Sequence, residues 1–150
     1  MAVVLPNFSS RRLSPRRGVA KRTEPAIGLR FLGLQNALEP NELLEFEYCV
    51  RRVTPEQVDR LELSVIWFTE GKGTEDIGVH LFQTLSSDDL CTHGCEEPRR
   101  ISTLMPATPL SYEGQLFKIR WCVRIRLFLK NGREITTEQP FYLGNLTVEV

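Results

Sequence analysis

The chain has 150 residues, 19 Lys+Arg against 19 Asp+Glu, and 41% hydrophobic content. That composition supports one sizeable core and leaves little room for two domains. No run approaches the ~20 apolar residues of a membrane span.

The charge balance hides an asymmetry. Residues 1–30 hold seven bases (Arg11, Arg12, Arg16, Arg17, Lys21, Arg22 and Arg30) against Glu24 alone, so 12 bases and 18 acids remain for the rest. Prolines at 6, 15 and 25 and a shortage of apolar residues predict a disordered basic tail over residues 1–25, ahead of a domain over 26–150. The apolar start Ala2-Val3-Val4-Leu5 is too short for a signal peptide, and the prolines spoil the amphipathic helix of a transit peptide. The expected location is therefore the cytoplasm, where Cys49, Cys91, Cys95 and Cys122 are expected as thiols. Arg11-Arg12-Leu13-Ser14-Pro15 resembles a basic kinase-substrate site, and phosphate on Ser14 would cut the local positive charge. The plainer reading is a solubilising tail, dispensable for folding either way.

From residue 26 the pattern is that of strands. Residues 27–34 form a short apolar run, and Glu39-Pro40-Asn41-Glu42 reads as a turn. Leu44, Phe46, Tyr48 and Val50 then alternate with Glu45, Glu47, Cys49 and Arg51, the period of a half-buried strand. Thr54 followed by Pro55 predicts a single helical turn.

Two strand-like runs, 61–69 and 77–84, flank the stretch TEGKGTED at 69–76. Its Gly71-Lys72-Gly73 suggests a phosphate cradle, but Ile66 stands where a Walker loop needs glycine, Gly73 follows the lysine, and no helix follows. Glu70, Glu75 and Asp76 would repel a polyphosphate, so the stretch reads as a loop between strands.

Residues 86–100 are polar and are expected to be a long exposed loop. In 117–129, FKIRWCVRIRLFL, every odd position is apolar, and Lys118, Arg120, Arg124 and Arg126 occupy even ones. One long strand is predicted, with Trp121 and Phe117 facing the core. Asn131-Gly132 predicts a type I′ hairpin into residues 133–138, Pro140 is expected to interrupt the ladder, and a last strand is expected at 146–150. About seven short strands with no long helical pattern predict an all-β, antiparallel β-sandwich.

The stretch from residue 101 to 144 resembles the arrestin-like family, a likeness that extends over roughly residues 27 to 150. There a strand ending in Leu-Pro leads into a Pro-x-Ser-Phe/Tyr-x-Gly link and then a long strand with an early aromatic residue. The matching positions are Leu104 and Pro106 with Met105 between them, then Pro109, Ser111, Tyr112, Gly114, Ile119, Trp121 and Val123. Upstream, residues 38–46 are similar to the family's Pro-Gly approach to a strand, with Asn41 in the glycine's place. The resemblance implies an immunoglobulin-like sandwich with a noncatalytic adaptor or trafficking role. It departs in one large way, since arrestins pair two sandwiches and this length holds one. It transfers no site.

Three sets of residues remain to be weighed as chemistry. Lys118, Arg120, Arg124 and Arg126 suit an anionic partner such as phosphopeptide, lipid head group or nucleic acid. Pairing across strands with Glu45, Glu47 and Glu62 is the competing reading, and no interleaved aromatics mark a nucleic-acid platform. Cys91, His93 and Cys95 offer three zinc ligands in five residues but no second pair to complete a tetrahedron, so no metal or cofactor is expected. His80 and His93 are the only histidines, and no nucleophile-elbow or zincin motif occurs.

The expectation is a noncatalytic adaptor that binds another protein through sheet edges or the loops at 69–76 (Glu70, Gly71, Lys72, Gly73) and 85–100, with homodimers open to the same edges. The alternatives are an anion-binding module using the basic stripe, and a metal-dependent or carbohydrate-processing enzyme on a sandwich scaffold.

Overall fold

A computed structural model describes residues 24–33, 37–92 and 94–144. Nine strands occur among them in chain order: β1 (Ala26–Phe31), β2 (Ala37–Leu38), β3 (Leu43–Arg51), β4 (Val58–Gly71), β5 (Ile77–Ser86), β6 (Arg99–Leu104), β7 (Tyr112–Glu113), β8 (Phe117–Leu129) and β9 (Glu134–Leu143). A 3-10 turn, Pro55–Gln57, precedes β4, and a one-turn helix, α1 (Ser87–Cys91), follows β5.

The strands form two sheets. The smaller has the order β1-β3-β6, all antiparallel; the larger has the order β2-β9-β8-β4-β5, with β7 added beside the start of β8. Only β2 on β9 is parallel. Alternation decides which side chains meet between the sheets. From the smaller sheet come Leu44, Phe46, Tyr48 and Val50; from the larger come Leu61, Leu63, Val65, Trp121, Val123, Ile125 and Leu127, and all are buried. Burial raises the pKa of the Tyr48 hydroxyl, an effect the nearby Arg99 charge partly offsets.

Local chemistry explains the joints. Pro40 and Asn41 form the centre of a turn closed by Glu42 N–H to the Glu39 carbonyl, and Asn41 has φ 68°, which is why glycine's place tolerates asparagine and few other residues. Thr54 N–H donates to the Gln57 side chain, and Gln57 N–H returns to the Thr54 carbonyl. In the link between β6 and β8, the Trp121 indole donates to the Pro109 carbonyl at 2.8 Å. Ser111 grips the end of β9 twice, its N–H on the Leu143 carbonyl and its hydroxyl accepting from Leu143 N–H. Met105, the residue inserted between Leu104 and Pro106, is buried in the core.

Several expectations are corrected. The Asn131-Gly132 turn is not type I′: only Gly132 has positive φ, and its N–H reaches the Leu129 carbonyl, so Lys130 and Asn131 form an ordinary turn closed by a glycine bulge. Pro140 does not interrupt β9, which runs on to Leu143. It pairs with Cys122 near the sheet margin, where β2, the one further strand there among the described residues, meets β9 at Tyr142 and Leu143. Phe117 is not core but 41% exposed, packed on the Tyr112 ring at 5.1 Å.

The 86–100 stretch is not one exposed loop either. Ser86 and Asp89 cap α1 reciprocally, Leu90 is buried, and β6 begins at Arg99. Cys91 and Cys95 are joined as a disulfide rather than held as two thiols; Cys49 and Cys122 remain free. The tail with Ser14, the expected strand at 146–150 and His93 lie outside the described residues.

Candidate interaction surfaces

The outer face of the larger sheet carries the basic stripe, and the structure gives each of its cations a carboxylate. Register brings them together: Glu62 lies opposite Arg126, Ser64 opposite Arg124, Ile66 opposite Cys122, Phe68 opposite Arg120 and Glu70 opposite Lys118. Arg120 binds Glu70 at 2.7 Å and Glu113 at 3.4 Å, and Lys118 lies 3.8 Å from Glu113. Arg126 binds Glu134 at 2.7 Å and Glu62 at 3.7 Å. The hydrogen bond between Arg126 and Glu134 raises the Arg126 pKa and holds the Glu134 carboxyl below its ordinary value. Of the three acids expected as partners only Glu62 takes part; Glu45 and Glu47 sit in the smaller sheet, where Glu47 pairs with Arg30.

Arg124 is different from the other three. Its pair with Glu138, at 3.2 Å, leaves the two side chains only 10% and 4% exposed. Beside it Cys122 is fully buried, and that burial, with the Glu138 charge next in size, pushes the thiol up to about 12.

The 69–76 stretch is the hairpin loop between β4 and β5. Thr69 and Asp76 close it with two hydrogen bonds, and Lys72 N–H donates to the Leu116 carbonyl. Gly71, at φ 142°, lies so close to the Leu116 carbonyl that a Cβ would overlap it. The open pocket here is lined by Glu70, Glu75 and Asp76 together with Lys72 and Phe117, a set that favours no polyphosphate.

At the other end, Arg99 donates to the carbonyls of Asp89 and Leu90, and Glu96 accepts from Arg52 N–H, so the disulfide-bearing turn is packed onto the body. With both sulfurs in that bond they cannot ligate zinc as thiolates, and among the described residues no metal-binding cluster occurs. No described helix is long and apolar enough to cross a membrane.

The surface that sequence reasoning missed is the free edge at β5. This strand pairs with β4 alone, and among the described residues no strand lies on its other side. Val79 is 61% and Phe82 55% exposed. Plain alternation puts residues 77, 79 and 81 on one face. A bulge instead inserts His80 between the pairs Val79 with Ile66 and Leu81 with Val65, which sends Leu81 to the core and leaves Val79 and Phe82 outside. The His80 ring reaches across to the Thr103 hydroxyl of β6 at 3.1 Å, joining the two sheets at this margin. Next to it Leu43 and Leu104, opposite each other in register, are both more than half exposed. The mixed apolar run VHLF was the one available signal.

No protein-family model matches the chain, and no curated protein matches its sequence. Among solved structures, the sporulation control protein Spo0M from Bacillus subtilis superimposes with a TM-score of 0.55 at 12% identity, over 81% of this chain and 49% of that one. This chain therefore spans about half the length of Spo0M. At that identity the likeness shows the fold, an arrestin-like β-sandwich, as the resemblance in sequence implied.

Proposed function

We propose that the chain is a noncatalytic interaction module that holds another protein by adding one of its strands to the edge at β5. The observation that supports this most is that β5, paired with β4 on one side, has no strand on its other side among the described residues and carries two large apolar side chains, Val79 and Phe82, into solvent. Backbone donors and acceptors along such an edge are already aligned, so a partner strand gains hydrogen bonds without reorganising the host. The exposed side chains select its sequence. The arrestin-like fold favours the same reading, since the control protein sharing it is named for regulation rather than for a reaction.

The test compares the wild-type protein with Val79→Lys/Phe82→Lys and with Arg120→Glu/Arg126→Glu in capturing partners from the source cell extract. A partner retained by the wild type and the second variant but lost by the first supports the edge. A partner lost only with the arginine changes, and released by salt, would replace this reading with the anion-binding one.

A further inference from the structure

Among the outermost strands of the two described sheets, β5 stands apart. β1 carries Arg30, β6 carries Arg99 and Arg100, and β2 and β7 are two residues long each. β5 runs from Ile77 to Ser86 without a carboxylate, a lysine or an arginine. Charge and brevity are how sheets keep stray strands off their margins, and this margin has neither. His80, the one titratable side chain along it, reaches the Thr103 hydroxyl of the other sheet.

Charge begins where the strand stops. Glu75 and Asp76 stand immediately before Ile77, and Asp88 and Asp89 follow just beyond Ser86. The cations near these ends are outnumbered or already engaged. Lys72 shares its side of the hairpin loop with Glu75 and Asp76, and Arg120 is held by Glu70. Arg60, opposite Ser86 on β4, is held by Asp59 and Glu62, while Arg99 donates to the carbonyls of Asp89 and Leu90. Among the described residues no ion pair answers Glu75, Asp76 or Asp88. An uncharged track is thus bounded at both ends by carboxylates.

Resting on the reading of β5 as a docking edge, we propose that its guest is an extended segment with an uncharged centre and basic ends. The centre lies along Val79–Ser86 and sets an aromatic or β-branched side chain beside Phe82. That ring is 55% exposed, and the residue opposite it on β4 is the small Ser64, so the guest's side is where it finds cover. One basic end meets Asp88 and Asp89; the other, running past Val79, meets Glu75 and Asp76. A segment with acidic ends would meet like charge at both. Burial at Phe82 and Val79 holds the guest, and the carboxylates choose among the strands that could be held.

The test sorts peptide libraries displayed on phage against the purified full chain. All share a randomised uncharged centre long enough to lie along Val79–Ser86, flanked at each end by two lysines, two serines or two glutamates. The proposal expects the lysine-flanked library to be retained about tenfold or more over the glutamate-flanked one at low ionic strength, with aromatic and β-branched residues enriched in the centre. That advantage should shrink as salt rises. Glu75→Gln/Asp76→Asn/Asp88→Asn should erase it; Asp89 is kept because it caps α1. Val79→Ser/Phe82→Ser removes the apolar side chains without adding charge and should abolish retention of every library. Equal retention of lysine and glutamate flanks, or an advantage that the acid changes leave intact, would overturn the basic guest while the edge stands, provided the Val79/Phe82 variant loses binding. Lysine-flanked peptides that still bind that variant would overturn both, as would a failure of any library to enrich. Both variants are checked for the wild-type circular-dichroism spectrum, so that unfolding is not mistaken for lost recognition.

Discussion

The two faces of β8 are built on different principles. Inward, Trp121, Val123, Ile125 and Leu127 are uniformly apolar and excluded from water. Outward, Lys118, Arg120, Arg124 and Arg126 each answer a carboxylate. The first face gains stability from any well-packed apolar side chain of suitable volume. The second gains little from the pairs in water and depends strongly on the one pair withdrawn from it. Residue type thus sets the fold, and depth sets what a charge contributes.

The largest effect should come from breaking the inward face. Trp121→Ala removes a ring that also bonds the Pro109 carbonyl, and about 4 kcal/mol of unfolding free energy should be lost in a urea titration. A loss under a third of that would mean the link around Pro109 can collapse into the space. Next is the withdrawn pair. Arg124→Ala leaves the Glu138 carboxylate buried beside a cavity and should cost about 3 kcal/mol, while Arg124→Met with Glu138→Leu should recover most of it. A double variant as unstable as the single one would show that the pair stabilises the fold in its own right.

Cys122 divides the faces by pH. Its thiol ionises near 9.0 when unfolded and about 12 when folded, so between those values the unfolded state binds fewer protons and stability falls as pH rises. The slope is roughly 1.4 kcal/mol per pH unit, so going from pH 9 to 10.5 should remove about 2 kcal/mol from the wild type and much less from Cys122→Ala. Parallel melting curves for both proteins across that range would refute the assignment, with Tyr48 left as the source of any shared decline above pH 10.

The smallest effect belongs to the exposed end. Glu134→Gln should change stability by under about 1 kcal/mol at pH 7. Because Arg126 holds the folded Glu134 carboxyl below its usual 4.5, that contribution exists above 4.5 and vanishes as pH falls through the lower folded value. Denaturation midpoints of the two proteins should converge in that window.

Sequence alone located much of this. Strict alternation in 117–129 and 44–50 revealed both central strands, and the proline, serine and tryptophan of the link turned out to be the atoms that clamp it. The outer stripe was legible as charge, but not which cation would be buried, because alternation reports the face a side chain points to and not its depth there. Phase shifts were hidden for a related reason. His80 steps out of register, and period-two reading has no term for an extra residue. The 86–100 stretch misled through composition. A short capped helix and a local disulfide bury Leu90 without any apolar stripe.

That extra residue at His80 also limits what the edge can do. A strand laid along β5 keeps step on one side of the bulge and loses it on the other, so the usable track is the stretch from Leu81 to Ser86 or the shorter one before it. Such a margin admits one short guest and stops. It is poorly suited to templating the endless stacking of identical copies by which open sheet edges grow into fibres.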